Sequence, residues 1–338
     1  MIAIAGRTLG RTGLTVSEIG FGAAPLGDLY RLIDDEEAIA AVTAAIGSGV
    51  TLIDTSPLYG HGLAEHRVGT AIRRAGRDRV VLSTKVGRWM SPARGEWDRE
   101  GYAGGLPFAA TLDYSYDGTM RSLEQSLLRL GTDRIDIALI HDVDRRNHGD
   151  AVDQRFAEAL AGAWRALYRL REQGVIRAIG IGVNEVEICL RFADHCDLDC
   201  LLLAGRYSLL EQGALDVLFP LAEARGIGIL LGGVFNSGIL ATGAIPGAKY
   251  DYADAPEPVL DRVRRIEALC ARHGLALPAA AMHFARAHPA VSSVVLGAVT
   301  PAEIRRNLEG WSVPVPAAFW QDLRDAGLID PRAPTGEG

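Results

Sequence analysis

Asp54, Tyr59, Lys85 and His141 are residues of the kinds that hold and move protons, and each lies at or just past the end of a short apolar run. Asp54 closes Val50-Thr51-Leu52-Ile53, and Tyr59 follows it in the turn Thr55-Ser56-Pro57-Leu58. Lys85 closes Val80-Val81-Leu82-Ser83-Thr84, and His141 closes Ile135-Asp136-Ile137-Ala138-Leu139-Ile140. Runs of this length and composition read as buried strands. A phenol with its ordinary pKa of about 10 is a poor proton carrier at neutral pH unless a cation sits beside it. Lys85 would supply that cation, Asp54 would hold it, and His141 would hydrogen-bond a substrate oxygen. This is chemistry for moving a proton while a hydride moves elsewhere. Any one of the four, alone, reads as readily as a structural residue. Together, at the same end of successive strands, they point to one site.

The elements that must position them alternate. Strands are expected around Phe21, Ile53, Leu82, Leu139, Ile181, Leu202, Ile229 and Val294, with helical periodicity between them. Asp34 and Asp35 can cap a helix bearing Ile39, Val42 and Ile46, which Gly47 and Gly49 close. Eight such units predict an α/β fold, a closed (β/α)8 TIM barrel whose active site lies at the carboxyl ends of the strands. A doubly wound sheet would place a glycine-rich dinucleotide loop after its first strand, and Gly20-Phe21-Gly22-Ala23-Ala24-Pro25 is no such loop. Arg7 to Ser17 reads as an N-terminal β-hairpin that plugs or lids the barrel. Residues 1–330 are expected to form one barrel and 331–338 a disordered tail.

Two segments at the carboxyl-end face break the rhythm. Gly87 to Gly118 is a long insertion rich in glycine and aromatics, and Asp142 to Ala157 is polar and charged. Loops this long are usually functional or disordered. Trp89 and Asp142, with Arg145, are the candidate substrate contacts.

The 338 residues carry 35 Lys plus Arg against 42 Asp plus Glu, a formal charge of -7 with no block of one sign. That excludes nucleic acid or an anionic membrane as the main partner and leaves a small molecule. Met1 to Arg7 is too short in apolar residues for a signal peptide, so a cytoplasmic protein is expected. Cys189, Cys196, Cys200 and Cys270 lack the paired spacing of zinc sites and read as free buried thiols, with no metal. Oligomeric state is not legible.

The motifs Arg7-x-Leu9-Gly10-Arg11-Thr12-Gly13-Leu14-x-Val16-Ser17, Asp54-Thr55-Ser56-Pro57-x-Tyr59-Gly60-x-Gly62-x-x-Glu65 and Thr84-Lys85-Val86-Gly87, with the His141 strand, occur in barrel order. In them the chain resembles the aldo-keto reductases. The resemblance implies a catalytic tetrad of Asp54, Tyr59, Lys85 and His141, with Tyr59 as general acid or base. It also implies a nicotinamide cofactor bound without a Rossmann fold.

For that cofactor, the resemblance carries over Asn184, from Val183-Asn184, to hold the carboxamide. The family's stacking tyrosine aligns with Gly232, so the aromatic is absent. Gly233, Phe235, Ser237, Gly238 and Leu240 fall in the segment expected to cradle the pyrophosphate. Gly297, Glu303 and Asn307 fall in the adenosine-binding segment. Glu303 stands where NADP-preferring members often carry a cation. A carboxylate there repels a phosphate dianion and accepts from a ribose diol, so NAD is expected over NADP.

Gly20 to Gly27, His141-Asp142, Gly182 to Glu185 and Ala204 to Tyr207 are similar to the branch that oxidises L-fucose and D-threo-aldoses, and also pyridoxal. The implied reaction is oxidation of a pyranose at its anomeric carbon to a lactone. Pyridoxal, also a cyclic hemiacetal, is the alternative. A general NADPH-dependent carbonyl reductase and a non-catalytic regulatory subunit on the same barrel are further readings.

Overall fold

The computed structural model describes residues 4–336, so the first three residues of the Met1 to Arg7 stretch lie outside it. Eight strands close a parallel barrel: β1 Ile19–Gly22, β2 Leu52–Asp54, β3 Val81–Val86, β4 Ile137–His141, β5 Ala178–Val183, β6 Cys200–Ala204, β7 Gly228–Gly232 and β8 Val291–Gly297. Each pairs with its neighbour in sequence, and β8 pairs with β1 to seal the ring. All eight predicted strands are present, and the fold class is the predicted one.

Side chains of a strand alternate between faces, and the inward ones stack into a packed interior. On β4 the inward file is Ile137, Leu139 and then His141, the first two buried with Leu52, Ala178, Cys200, Leu202 and Leu230 in the barrel's lower core. The hairpin Gly6–Thr8 with Thr15–Ser17 presents Leu9, Leu14 and Val16 to that same cluster. It is a plug at the end away from the site. The larger core lies between strands and helices, as in Asp35–Gly47, where Asp34 accepts from the Glu37 amide at 3.1 Å and Ile39, Val42 and Ile46 are buried.

Register fixes the height of the site. Asp54 is level with Ser83, Lys85 with Leu139, and His141 with Gly182. The insertion is a second hairpin, Arg88–Pro92 with Phe108–Leu112, before the helix Tyr116–Leu130. The polar stretch after His141 is short helices, beginning with Arg145–His148.

The tail expected to be disordered is instead held as far as it is described. Ala333 is buried, and Arg324 donates to the Ala333 carbonyl and, at 2.7 Å, to Thr335 Oγ1. Residues 337 and 338 lie outside the described residues. The four cysteines are free thiols. Among the described residues no helix is long and apolar enough to cross a membrane.

Candidate active site

The strand ends bring the four predicted residues together. Lys85 is buried and its Nζ donates to Asp54 Oδ2 at 2.7 Å and to the Thr55 carbonyl at 2.8 Å. Asp54 Oδ1 accepts from Ser83 Oγ at 2.7 Å, so both carboxylate oxygens are bound. The Lys85 stem crosses the barrel beside Gly182, where a Cβ would lie 3.3 Å from Lys85 Cε. Its ammonium reaches 5.0 Å from the centre of the Tyr59 ring, and the His141 ring meets Tyr59 edge-on at 6.0 Å.

The electrostatics differ from expectation at Tyr59. Lys85 was expected to bring the phenol into a useful range, yet burial first, and then the Asp54 carboxylate, push its pKa well above the usual value. Burial is the larger cause, and the carboxylate bonded to the Lys85 ammonium adds to it. A phenol shifted this way is a neutral hydrogen-bond donor, and a cation beside it favours the ionised form. Burial, then the charges of Lys85 and Arg88, push His141 well below its ordinary value, so the imidazole is neutral. Ser56 Oγ accepts from the Leu58 amide at 3.2 Å and lies 3.3 Å from His141 Nδ1. With the Ser56 hydroxyl donating to Nδ1, the ring proton is assigned to Nε2.

That Nε2 lies 3.4 Å from Asp142 Oδ1, while Asp142 Oδ2 accepts from Arg88 at 2.9 Å. Asp142 has a backbone φ of 57°, a left-handed conformation that non-glycine residues seldom adopt. Its amide is fixed to the Gly182 carbonyl at 3.0 Å. Burial pushes its carboxyl up to about 6, against the pull of Arg88.

Of the two substrate residues expected, Asp142 is at the site and Trp89 is not. The Trp89 indole donates to Asp113 at 3.2 Å, and Arg121 lies 4.0 Å from its ring centre. Neighbours on a strand face opposite ways, and Arg88 takes the side facing Asp142. Trp89 is therefore turned toward the helix Tyr116–Leu130. Arg145 is exposed, with its guanidinium 3.5 Å from Asp150, and does not join the group.

Other residues support the site unannounced. Tyr114 donates to the His141 carbonyl at 2.7 Å and pins the end of β4. Glu65 accepts from Thr84 at 2.7 Å and from Arg129 at 2.6 Å, tying β3 to two helices. Its place in the motif ending at Glu65 was the one available signal. The insertion rests on the tyrosine turn: the Leu106 amide donates to the Gly60 carbonyl at 3.0 Å, and buried Tyr102 meets His61 edge-on at 6.1 Å. A Cβ at Gly105, whose φ is 105°, would lie 2.7 Å from Gly60 O.

The expected cofactor residues fall in two places. Asn184 Nδ2 faces the Ala204 carbonyl at 3.5 Å and the Tyr252 hydroxyl at 3.4 Å, at the mouth beside β5. Beyond β7, Gly232 ends the strand and Gly233 opens a tight turn in which the amides of Asn236, Gly238 and Leu240 bond back to Gly233 and Phe235 carbonyls. Those three amides are used internally. Leu240, expected to touch cofactor, is fully buried in the core as part of the helix Ile239–Thr242, and is corrected to a packing residue. Ser237 Oγ accepts at 2.8 Å from the amide of Tyr252, in a small hairpin over this turn. Asp251 of that hairpin pairs with Arg146 and Arg206, each at 3.1 Å.

Gly297, Glu303 and Asn307 line a cleft of about 760 Å³ with Phe235, Met282 and Arg306. Its size and mixed apolar and polar walls fit the adenosine half of a dinucleotide, and a Cβ at Gly297 would press 2.9 Å from Pro25 Cγ. One Glu303 oxygen is committed: Oε2 accepts from the Val299 amide at 2.8 Å while Thr300 accepts from the Glu303 amide, a helix-start arrangement. Oε1 lies 3.9 Å from Arg306.

A closed parallel barrel with a buried Lys–Asp pair, a phenol and a neutral imidazole at its carboxyl mouth defines the aldo-keto reductase class of oxidoreductase. The chain belongs to the Aldo/keto reductase family, whose model matches residues 18–327, and whose members use NAD(P)H. It is 43% identical to a pyridoxal 4-dehydrogenase of Microbacterium luteolum over 335 residues, covering 96% of this chain and 97% of that protein. It is 37% identical to a D-threo-aldose 1-dehydrogenase of a Pseudomonas species over 328 residues, covering 94% and 96%. Among solved structures, an aldo-keto reductase from Bacillus halodurans in its holo form matches with a TM-score of 0.72 at 25% identity, covering 97% of each chain.

Proposed function

We propose that this enzyme oxidises a cyclic hemiacetal, an aldose of the L-fucose or D-threo type, at C1 to the lactone, acting in the cytoplasm with NAD preferred over NADP. The observation that carries the reading is the pairing of a half-buried phenol and a neutral imidazole at one point, Tyr59 edge-on to His141. Two such groups can grip one oxygen. Tyr59 takes the hemiacetal proton, and His141 donates to the same oxygen and orients it. An oxidised nicotinamide, held with its carboxamide at Asn184 and its adenosine half in the cleft of Gly297, Glu303 and Asn307, would supply the hydride acceptor for C1. Lys85, fixed by Asp54, keeps a cation on the inner side of Tyr59 throughout.

Both named relatives support a hemiacetal substrate, because an aldose and pyridoxal each close into one. Pyridoxal remains a second reading on the higher identity of its relative. Glu303 supports NAD because it lines the cleft with Arg306 and only its Oε2 is committed to the Val299 amide. The test is initial rates of cofactor reduction with L-fucose, D-arabinose, L-galactose and pyridoxal, each with NAD and NADP, alongside Tyr59→Phe. Turnover of the sugars with NAD, reduced about 10²- to 10⁴-fold by the substitution, is the expected result. Turnover of pyridoxal alone overturns the sugar.

A further inference from the structure

We infer that Arg88 and Asp142 form a substrate-reading pair, in which Asp142 Oδ1 accepts the hydroxyl on the carbon next to the one oxidised and so selects aldoses over pyridoxal. The inference rests on the hemiacetal reading above and names the feature of the substrate that this site recognises.

The geometry is specific. An ionised carboxylate only accepts hydrogen bonds. Oδ2 of Asp142 is taken by Arg88 at 2.9 Å, which leaves Oδ1 directed to the tetrad, 3.4 Å from His141 Nε2. Nε2–H and Oδ1 are thus a donor and an acceptor side by side, a spacing that the two oxygens of a vicinal diol can bridge. The reacting oxygen takes the Nε2–H, and its neighbour donates to Oδ1. Nothing in folding calls for the pair: a buried ion pair is commonly no more stabilising than well-packed apolar residues of the same volume. The left-handed backbone at Asp142 is a further local cost, of the kind that collects at functional sites.

The chemistry then distinguishes the two hemiacetals. An aldose carries a neutral hydroxyl at C2. The nearest ring hydroxyl of pyridoxal is acidic, and its anion would face a carboxylate of the same charge.

The experiment compares kcat/KM for L-fucose, 2-deoxy-L-fucose and 2-hydroxytetrahydropyran, a hemiacetal with no other hydroxyl, in the wild type and Asp142→Asn. The wild type is expected to prefer L-fucose over its 2-deoxy analogue by about 10- to 100-fold, the worth of one hydrogen bond to a charged group. In Asp142→Asn that ratio collapses toward one. The paired variant Arg88→Met/Asp142→Leu, which leaves no unpaired buried charge, gives the same collapse if Asn at 142 folds poorly. A wild-type ratio near one, or a ratio that both variants preserve while all rates fall together, overturns the inference alone and leaves the hemiacetal reading standing. Absence of turnover with every hemiacetal, 2-hydroxytetrahydropyran included, overturns the functional reading and this inference with it.

Discussion

Lys85 Nζ lies 2.7 Å from Asp54 Oδ2, and both groups are buried. Each is the other's main compensation for leaving water. Lys85→Met alone is expected to cost about 3–5 kcal/mol of stability, because it strands a buried carboxylate. Adding Asp54→Leu should return most of that loss while activity stays absent. Urea unfolding of the two variants is the measurement, and equal midpoints would refute the coupling.

Asp142 gives the pH dependence. Burial raises its carboxyl to about 6, so the folded protein holds this proton more tightly than the unfolded chain does. On this group's account stability falls as pH rises from about 4 toward 6 and then levels. Sugar kcat/KM should move the other way, rising through pH 6 as the carboxylate forms beside Arg88, His141, Lys85 and Asp144. His141 adds no step there, because its own proton is lost at much lower pH. A profile from pH 5 to 8 checks this, and Asp142→Asn should flatten it.

Gly105 tests the seating of the insertion. Its φ of 105° and the 2.7 Å approach of a would-be Cβ to Gly60 O leave no room for a side chain. Gly105→Ala is expected to cost about 1–3 kcal/mol, to lower kcat by shifting the Tyr59 turn, and to expose residues 93–107 to limited proteolysis. An unchanged kcat would show that the loop and the tyrosine turn are independent.

The cofactor preference assigned to Glu303 has its own test. Glu303→Gln preserves the helix-start arrangement, since an amide can serve in that position, yet removes the charge from the cleft lining. The ratio of kcat/KM with NADP to that with NAD should rise about tenfold, the equivalent of about 1.4 kcal/mol. Arg306→Ala should lower the same ratio. Movement of neither ratio would remove the argument for NAD.

The tetrad and barrel were legible because each catalytic side chain ends a run of apolar residues whose strand character needs no tertiary information. Asp34 and the N-terminal hairpin were legible for the same local reasons. Arg88 was not, because facing inward rather than outward is decided by the pairing of Arg88–Pro92 with Phe108–Leu112. Trp89 drew attention instead, and parity on one strand separates the two. The upward push on Tyr59 was not legible because burial and charge, unlike strand propensity, depend on what else is within a few ångströms. Leu240 and the held tail were missed because the contacts that fix them come from distant parts of the chain.

The gap at Gly182 that admits the Lys85 stem makes one side chain serve as both packing and reagent. Its methylenes fill the space beside Gly182, and its ammonium anchors Asp54 next to the phenol. A protein engineer therefore has no independent handle on the two. Filling that space with a larger aliphatic residue at 182, the obvious route to a more heat-resistant barrel, would displace the ammonium, so thermostability must be sought in the outer shell of helices.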